Sequence, residues 1–170
     1  WMQEKTKPVF VVATANNISM LPPEMLRKGR FDEIFFVDLP TPTERAVIFK
    51  LHLNKMLKGS ISEEFEITDK LINRLVDMTE GFVGAEIEQV IISAVFDAFS
   101  EDRTLQEEDL YRAIKNTVPL SVTQQEQIES IREWANVRAV AATSHDDMIF
   151  DKKSTDKKVA KLRGGRNVDF

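Results

Sequence analysis

Two arginines and an asparagine near the start of the chain have the types and order of a phosphate-contacting group. Arg27 and Arg30 lie three positions apart with a glycine between them, and Asn16 precedes them. The planar guanidinium fork donates two parallel hydrogen bonds, so arginine matches the oxygens of a phosphate better than other side chains do. These residues therefore suggest a site that contacts phosphate.

The elements that must position these residues are a strand and a turn. The apolar run Val9 to Ala13 is rich in β-branched and aromatic residues, which predicts a strand buried on both faces, as in a parallel sheet. Asn16 follows its C-terminal end, where open α/β sheets place their ligand sites. Pro22 and Pro23 then predict the start of a short helical segment that leads to the two arginines.

The segment from Ala13 to Asp32 resembles the AAA+ ATPases, in particular the subgroup with the second region of homology. The family pattern is an apolar strand, then Ala-Thr-Asn, Leu-Asp-Pro-Ala-Leu-Leu and Arg-Pro-Gly-Arg-Phe-Asp. The residues here read Ala13-Thr14-Ala15-Asn16, Leu21-Pro22-Pro23-Glu24-Met25-Leu26 and Arg27-Lys28-Gly29-Arg30-Phe31-Asp32. The departures are a proline in place of the first aspartate, a lysine in place of the later proline, and a reversed Thr-Ala order. Within the family, the segment is most similar to a cyanobacterial and plastid-encoded member.

This resemblance implies roles for the three polar residues. Asn16 corresponds to the sensor asparagine that positions the attacking water, and Arg27 and Arg30 correspond to arginine fingers that reach ATP on the adjacent subunit. The residues alone also allow simpler roles. The arginines could form ion pairs with Glu24 or Asp32, and Asn16 could be a turn residue that tolerates a strained backbone.

The remainder of the chain predicts one further strand and then helices. Ile34 to Leu39 is a second apolar run and predicts the last strand of the sheet. The predicted fold is α/β: the C-terminal strands of a AAA+ parallel-sheet (P-loop NTPase) domain, followed by an α-helical lid subdomain. The predicted boundaries are residues 1–40 for the sheet part, 41–118 for the lid, 119–142 for an additional helix, and 143–170 for a basic tail.

Helix starts and buried faces follow from capping residues and helical spacing. Thr43, Thr68, Thr104 and Thr123 are predicted N-caps, the last two with Glu107 and Glu126 as capping-box partners. Gly59 and Gly81 are predicted helix stops. The helix after Gly84 carries apolar residues at helical spacing, and Phe96 and Phe99 are expected in the core. Trp134 is expected to be buried either on the lid or against a neighbouring subunit.

The resemblance also implies a nucleotide site on the lid, at Ile48, His52, Gly84 and Ala85. Gly84 has no side chain and Ala85 has only a methyl group, so a flat ring such as adenine can pack against this turn. Ile48 and His52 stand one helical turn apart and therefore share a face. The simpler alternatives are that His52 is an interfacial histidine and that Gly84 only begins a helix.

Composition restricts the class of protein. The 170 residues carry a net charge of −5 and no cysteine, which excludes disulfides and thiolate metal sites. No apolar run approaches the ~20 residues of a membrane span. This composition fits a soluble intracellular protein without a membrane partner, and the resemblance to a cyanobacterial and plastid-encoded family member implies the bacterial cytoplasm or the plastid stroma. The acidic body argues against nucleic-acid binding.

The last twenty residues differ in charge from the rest. Residues 151–170 contain seven Lys or Arg and three Asp, a net charge of +4, which leaves −9 for residues 1–150. This composition predicts a flexible basic tail. Either it is a solvated end, or it is an arm that docks on an acidic partner, on its own assembly or on nucleic acid.

Two motifs of the resembling family are absent from the chain. No glycine is followed by lysine, so there is no phosphate-binding loop, and the only Asp-Glu pair belongs to the arginine segment. We therefore expect the chain to be the C-terminal part of a longer protein and to be inactive alone, with Mg²⁺ held mainly by residues outside it.

Two functions remain open from the sequence. The first is ATP binding and hydrolysis by a homo-oligomeric AAA+ ATPase, a ring of six subunits, that remodels an unknown protein partner. The second is a non-catalytic interaction module that keeps the lid fold for assembly. An intact phosphate loop and an intact Asp-Glu strand end upstream would favour the enzyme.

Overall fold

The computed structural model describes residues 8–15, 17–27 and 29–143. A 3₁₀ turn, Ile18–Met20, lies near the start of this part of the chain. The strands are β1 (Phe35–Phe36) and β2 (Val140–Ala141). The α-helices are α1 (Pro42–Leu57), α2 (Asp69–Met78), α3 (Gly84–Ser100), α4 (Glu107–Lys115), α5 (Leu120–Thr123) and α6 (Gln125–Arg138).

The first predicted strand does not form in this structure. Residues 8–15 have no regular secondary structure, and the side chain of Phe10 is 93% exposed. A strand requires hydrogen-bonded neighbours to be stable, and the sheet of the described residues consists of β1 and β2 without this segment. The prediction that Val9 to Ala13 is buried on both faces is therefore wrong here.

The second predicted strand is present but short. β1 covers only Phe35–Phe36 of the predicted run, and it pairs in parallel with β2 after the last helix. Val140 N donates to Ile34 O and Ala142 N donates to Phe36 O, both at 2.9 Å. The sequence analysis did not predict β2, and its pairing with β1 brings the end of the described chain back to the point where the helices begin.

α1 begins earlier than predicted. Its N-cap is Thr41, whose Oγ1 accepts a hydrogen bond from Glu44 N (3.3 Å), while Glu44 Oε2 accepts one from Thr41 N (2.8 Å). The helix then begins at Pro42, a residue favoured at this position because its φ is already helical and it has no N–H to satisfy. Thr43 is therefore inside the helix. The predicted stop is confirmed, since Gly59 has φ +71° just beyond the end of α1.

The four longer helices before α5 enclose one hydrophobic core. α3 packs between α1 and α4, and α2 packs on α1 and α4. Thr68 is the N-cap of α2, as predicted, and accepts a hydrogen bond from Leu71 N at 3.1 Å. The least exposed apolar side chains are Phe49, Leu53, Leu71, Ile72, Leu75, Ile87, Val90, Ile91, Ala94, Ala98 and Leu110.

The core prediction for the second half of α3 is wrong. Phe96 and Phe99 are each 66% exposed, whereas Ile91, Ala94 and Ala98 are buried. α3 is apolar around most of its circumference, and α1 and α4 cover only one side of it. Phe96 and Phe99 lie on the uncovered side, so helical spacing alone assigned them to the wrong face.

Two other helix starts differ from the prediction. α4 has Gln106 as its N-cap residue, and Asp109 Oδ2 accepts the Gln106 N–H at 3.0 Å, so the predicted capping box at Thr104 does not form. Thr123 ends α5 rather than capping the next helix. In α6, Ala135 is buried and Trp134 is half-buried, but Val137 is 78% exposed.

No helix in the described part of the chain combines the length and the apolar character that crossing a bilayer requires.

Candidate functional site

The N-terminus of α3 lies beside α1. Gly84 is the first residue of α3, and its φ is not in the left-handed region. A methyl group built on it would meet Ile48 Cδ1 at 3.7 Å, an ordinary van der Waals distance. Neither the backbone nor the packing of this structure therefore requires glycine here. Ala85, the next residue, is exposed.

The two predicted residues of α1 face the same end of α3. Ile48 is half-buried and packs against the core, and His52 follows one turn later with its side chain 17% exposed. His52 Nδ1 lies 3.3 Å from Oε1 of Glu88, which is one turn beyond Gly84. The structure thus brings the four residues predicted to bind the nucleotide to one junction between α1 and α3.

Two glutamates of α3, which the sequence analysis did not select, shape this junction. Glu86 Oε2 accepts the Val83 N–H at 2.8 Å, and its Oε1 accepts the Leu120 N–H at 2.6 Å. Glu86 therefore fixes the start of α3 and joins it to the start of α5. Its position at the third residue of the helix is a recognisable capping signal. Glu88 had no such signal, because its partners are on another helix.

The turn before α3 depends on a second glycine. Gly81 has φ +79°, a left-handed conformation that disfavours residues with a side chain. A Cβ at this position would lie 2.3 Å from Ser121 Oγ, which is far too close. Gly81 is therefore required both by its backbone and by the close approach of α5.

The arginine segment forms a compact turn before β1. Successive hydrogen bonds join Met25 N to Pro22 O (2.9 Å) and Leu26 N to Pro23 O (3.2 Å). Gly29 follows with φ +92°, and Arg30 N donates to Arg27 O at 3.4 Å.

Neither of the two predicted arginine fingers forms an ion pair with the acidic residues considered as simpler partners in the sequence analysis. Arg27 is exposed and Arg30 is half-buried. Within the described residues no ion pair joins either arginine to Glu24 or Asp32. In this part of the chain, no ion pair joins either guanidinium to the α1–α3 junction. Asn16 lies outside the described residues.

Two comparisons with protein families cover different parts of the chain. Residues 1–39 match the ATPase family associated with various cellular activities (AAA), a range that includes Asn16, Arg27 and Arg30. Residues 69–113 match the AAA+ lid domain, a range that includes Gly84 and Ala85. The chain belongs to the AAA+ ATPase family. The predicted fold class, the end of a AAA+ α/β domain followed by a helical lid, is confirmed.

AAA+ proteins of known sequence resemble the chain over most of its length. The uncharacterized AAA domain-containing protein ycf46 of Pyropia yezoensis is 53% identical over 135 residues, which cover 79% of this chain and 26% of that protein. The ycf46 protein of Guillardia theta is 47% identical over 145 residues, covering 85% and 27%. The proteasome-activating nucleotidase of Saccharolobus solfataricus is 35% identical over 127 residues, covering 74% and 30%. The chain therefore spans about a quarter to a third of the length of these curated relatives.

The described residues offer no ready position for the divalent cation of a AAA+ ATPase. No group of three or more His, Asp or Glu side chains lies close enough together there to hold a metal ion. The α1–α3 junction, in contrast, has the small and apolar residues that suit a flat base.

Proposed function

We propose that this chain is part of an oligomeric AAA+ ATPase that binds and hydrolyses ATP and thereby remodels a protein partner. The observation that carries the proposal is the surface at the start of α3. Glycine is not required at position 84 by backbone or packing, yet it lies directly under the tip of Ile48. A position that is free to carry a side chain but carries none suits the close approach of a flat ligand.

Each residue of the α1–α3 junction would have a separate task. Ile48, Gly84 and Ala85 would contact one side of the base through van der Waals packing, which excludes water from it. His52, with its polar ring edge, would face the ribose. Magnesium would be held mainly by residues outside this chain, where the phosphates would also be bound.

The phosphate-contacting residues would act on two different subunits. Asn16 would orient the attacking water at the site of its own subunit. Arg27 and Arg30 would neutralise negative charge on the ATP of the adjacent subunit, a contribution worth about 10³ to 10⁵ in rate for arginine fingers. This division of tasks would need an oligomer, in which Arg27 and Arg30 of one subunit contact the ATP of the next. We propose a ring of six subunits.

The cellular setting of this ATPase is also a proposal. We propose the bacterial cytoplasm or the plastid stroma, with a protein as the remodelled partner and no membrane partner. Nucleic acid would be bound only through the basic residues 151–170, which lie outside the described part of the chain.

A second candidate function is a non-catalytic scaffold that keeps the AAA+ fold. One observation favours it: a relative from Arabidopsis thaliana, 32% identical over 135 residues, is described as a probable inactive ATP-dependent zinc metalloprotease, FTSHI 4. In that case the α1–α3 surface would serve assembly. The two candidates differ in whether the unmodified full-length protein hydrolyses ATP at all.

The experiment is to replace Arg27 and Arg30, singly and together, by alanine in the full-length protein. We expect ATP hydrolysis to fall by about 10³-fold or more in the double variant, with ATP binding retained. Lys70→Ala, which removes an exposed positive charge from α2, is the matched control and should leave hydrolysis unchanged. Undiminished hydrolysis in the double variant would contradict the finger role, and no hydrolysis by the unmodified protein would support the scaffold.

A further inference from the structure

The carboxylate of Glu88 lies between two polar side chains of α1. Its Oε1 is 3.3 Å from His52 Nδ1 and 3.7 Å from Lys55 Nζ. His52 is the most enclosed of the three, with 17% of its side chain exposed, against 39% for Glu88 and 68% for Lys55. Glu88 therefore connects α3 to the face of α1 that carries the proposed base-contacting residues.

The position of His52 Nδ1 makes this contact more than a surface ion pair. Nδ1 is fully buried and has no hydrogen-bond partner in the described residues. Buried polar atoms in proteins nearly always have a partner, and the Glu88 carboxylate is within reach after a small rotation. Since a carboxylate only accepts hydrogen bonds, it would select the form of the imidazole that carries its proton on Nδ1.

We propose that Glu88 is a positioning residue for the nucleotide site, an inference that rests on the function proposed above. By accepting a hydrogen bond from Nδ1–H it holds the ring of His52 and leaves Nε2 to face the ligand. The two nitrogens of histidine are not equivalent, and the partner of one sets the state of the other. In the neutral ring, Nε2 is an acceptor and would pair with a hydroxyl of the ribose.

Lys55 explains how a carboxylate is tolerated close to a bound polyphosphate. A second negative charge would weaken nucleotide binding, and the ammonium group 3.7 Å away offsets it. An exposed pair of this kind contributes little to folding stability by itself. The function of Glu88 should therefore be visible in nucleotide affinity rather than in thermal stability.

The experiment compares ADP affinity in the full-length protein by titration with a fluorescent ADP analogue. The variants are Glu88→Ala, Glu88→Gln, His52→Ala and the double variant of His52→Ala with Glu88→Ala. We expect Glu88→Ala to weaken binding by about threefold to fivefold. Glu88→Gln retains an oxygen that accepts a hydrogen bond and should recover part of the loss. Glu133→Gln, on an exposed residue of α6, is the matched control for charge.

The decisive result is the effect of Glu88→Ala when His52 is already absent. If Glu88 acts through His52, the double variant binds ADP as His52→Ala does. A further loss in the double variant, or no loss in Glu88→Ala alone, overturns the inference while His52→Ala still reports on the site. Absence of ADP binding by the unmodified protein overturns the proposed function and the inference with it. Unchanged melting temperatures in all variants support the positioning role, and a lowered melting temperature in Glu88→Ala with unchanged affinity contradicts it.

Discussion

Gly81 lies in the turn before α3 and Gly84 begins that helix, and the two glycines meet different requirements. Gly81 combines φ +79° with an approach of Ser121 that leaves no room for a Cβ. Gly84 has a φ outside the left-handed region and room for a methyl group against Ile48. The fold therefore explains the first glycine and does not explain the second, for which the ligand proposed at the α1–α3 junction would be a reason.

This difference predicts a variant that changes binding without changing the fold. Gly84→Ala should leave the melting temperature of the chain unchanged or slightly raised, since alanine favours a helix by up to about 1 kcal/mol over glycine. The same change should weaken ADP binding by the full-length protein, because the added methyl group occupies the surface proposed for the base. Thermal unfolding and an ADP titration check the two parts.

The control is the neighbouring glycine. Gly81→Ala should lower the free energy of unfolding by about 1 to 3 kcal/mol, the usual cost of a left-handed conformation in a residue with a side chain, and the contact with Ser121 adds to it. Denaturant unfolding of the two variants side by side gives the comparison. Equal destabilisation by Gly84→Ala and Gly81→Ala would show that both glycines are structural.

The sequence analysis predicted some of the individual residues of the candidate site. Ile48, His52, Gly84 and Ala85 were found through a family resemblance, and the structure places them at one junction. Glu88 was not found. Its contact with His52 joins two helices, and the distance between residues on different helices is not encoded in spacing along the chain.

Among the elements, α4 shows how a cap can depend on a residue upstream of the helix. Asp109 is 2% exposed and accepts two hydrogen bonds from Arg103, at 2.6 and 2.8 Å, besides the one from Gln106 N. Arg112 donates to the same carboxylate. The guanidinium of Arg103 is the largest of the causes that lower the pKa of Asp109 below its ordinary value of 3.8.

The lowered pKa of Asp109 predicts a pH dependence of stability. The ionised carboxylate is favoured in the folded state, so its contribution is fully present above about pH 4 and disappears as the pH falls through the lower pKa of the folded form. Asp109→Asn should remove about 1.5 to 3 kcal/mol of unfolding free energy at neutral pH. It should also flatten the acid side of the stability curve.

Chemical denaturation between pH 2 and pH 7 checks this expectation. Asp77→Asn, an exposed aspartate of α2, is the control and should leave both the stability and its pH dependence nearly unchanged. If Asp109→Asn lost stability equally at pH 2 and pH 7, the effect would come from packing and not from the charge.

The predicted helices are present in the structure, but several of their first residues and one of their buried faces were predicted incorrectly. Thr68 was a correct N-cap because it stands alone before its helix. Near Thr41 and Thr43, two threonines compete, and Pro42 decides for the earlier one. The exposed faces of Phe96 and Phe99 could not be predicted, since a helix with apolar residues on most sides does not reveal which side its neighbours will cover.

At the level of the whole molecule, the two ends of the helical part are held together. Arg132 Nε lies 2.9 Å from both carboxylate oxygens of Asp38, and Arg132 Nη2 lies 2.8 Å from Oδ1. This ion pair joins α6 to the segment directly after β1, beside the pairing of β1 with β2. The α6–β2 segment is therefore fastened to the sheet end of the chain at two points.

The contribution of the ion pair can be measured by a double-mutant cycle with Asp38→Ala and Arg132→Ala. Both side chains are more than a third exposed, so we expect a coupling energy of at most about 1 kcal/mol. Amide hydrogen exchange in α6 should accelerate in either single variant. Glu133→Ala, on the same helix, is the control, and equal acceleration there would show that Asp38 does not hold α6.

The sequence analysis predicted the order of the sheet segment, the helical lid and the further helix along the chain. It did not predict the pairing of β1 with β2. A sheet remnant, a helical lid and a further helix occur in the expected order. β2 was not predicted, since Val140–Ala141 is too short to show a strand pattern and gains its hydrogen bonds from residues about a hundred positions away. The apolar Val9 to Ala13 run does not form a strand for a related reason. Whether a segment pairs depends on the segments that lie beside it, which its own sequence does not reveal.

The parallel pairing of Phe36 with Ala141 places the chain just before the helical part beside the chain just after it. A pull on the chain beyond residue 143 would load two backbone hydrogen bonds and the Asp38–Arg132 contact before it reached the four helices that enclose the core. Mechanical tension from that end would thus peel away α6 first, while the four helices that enclose the core stayed intact.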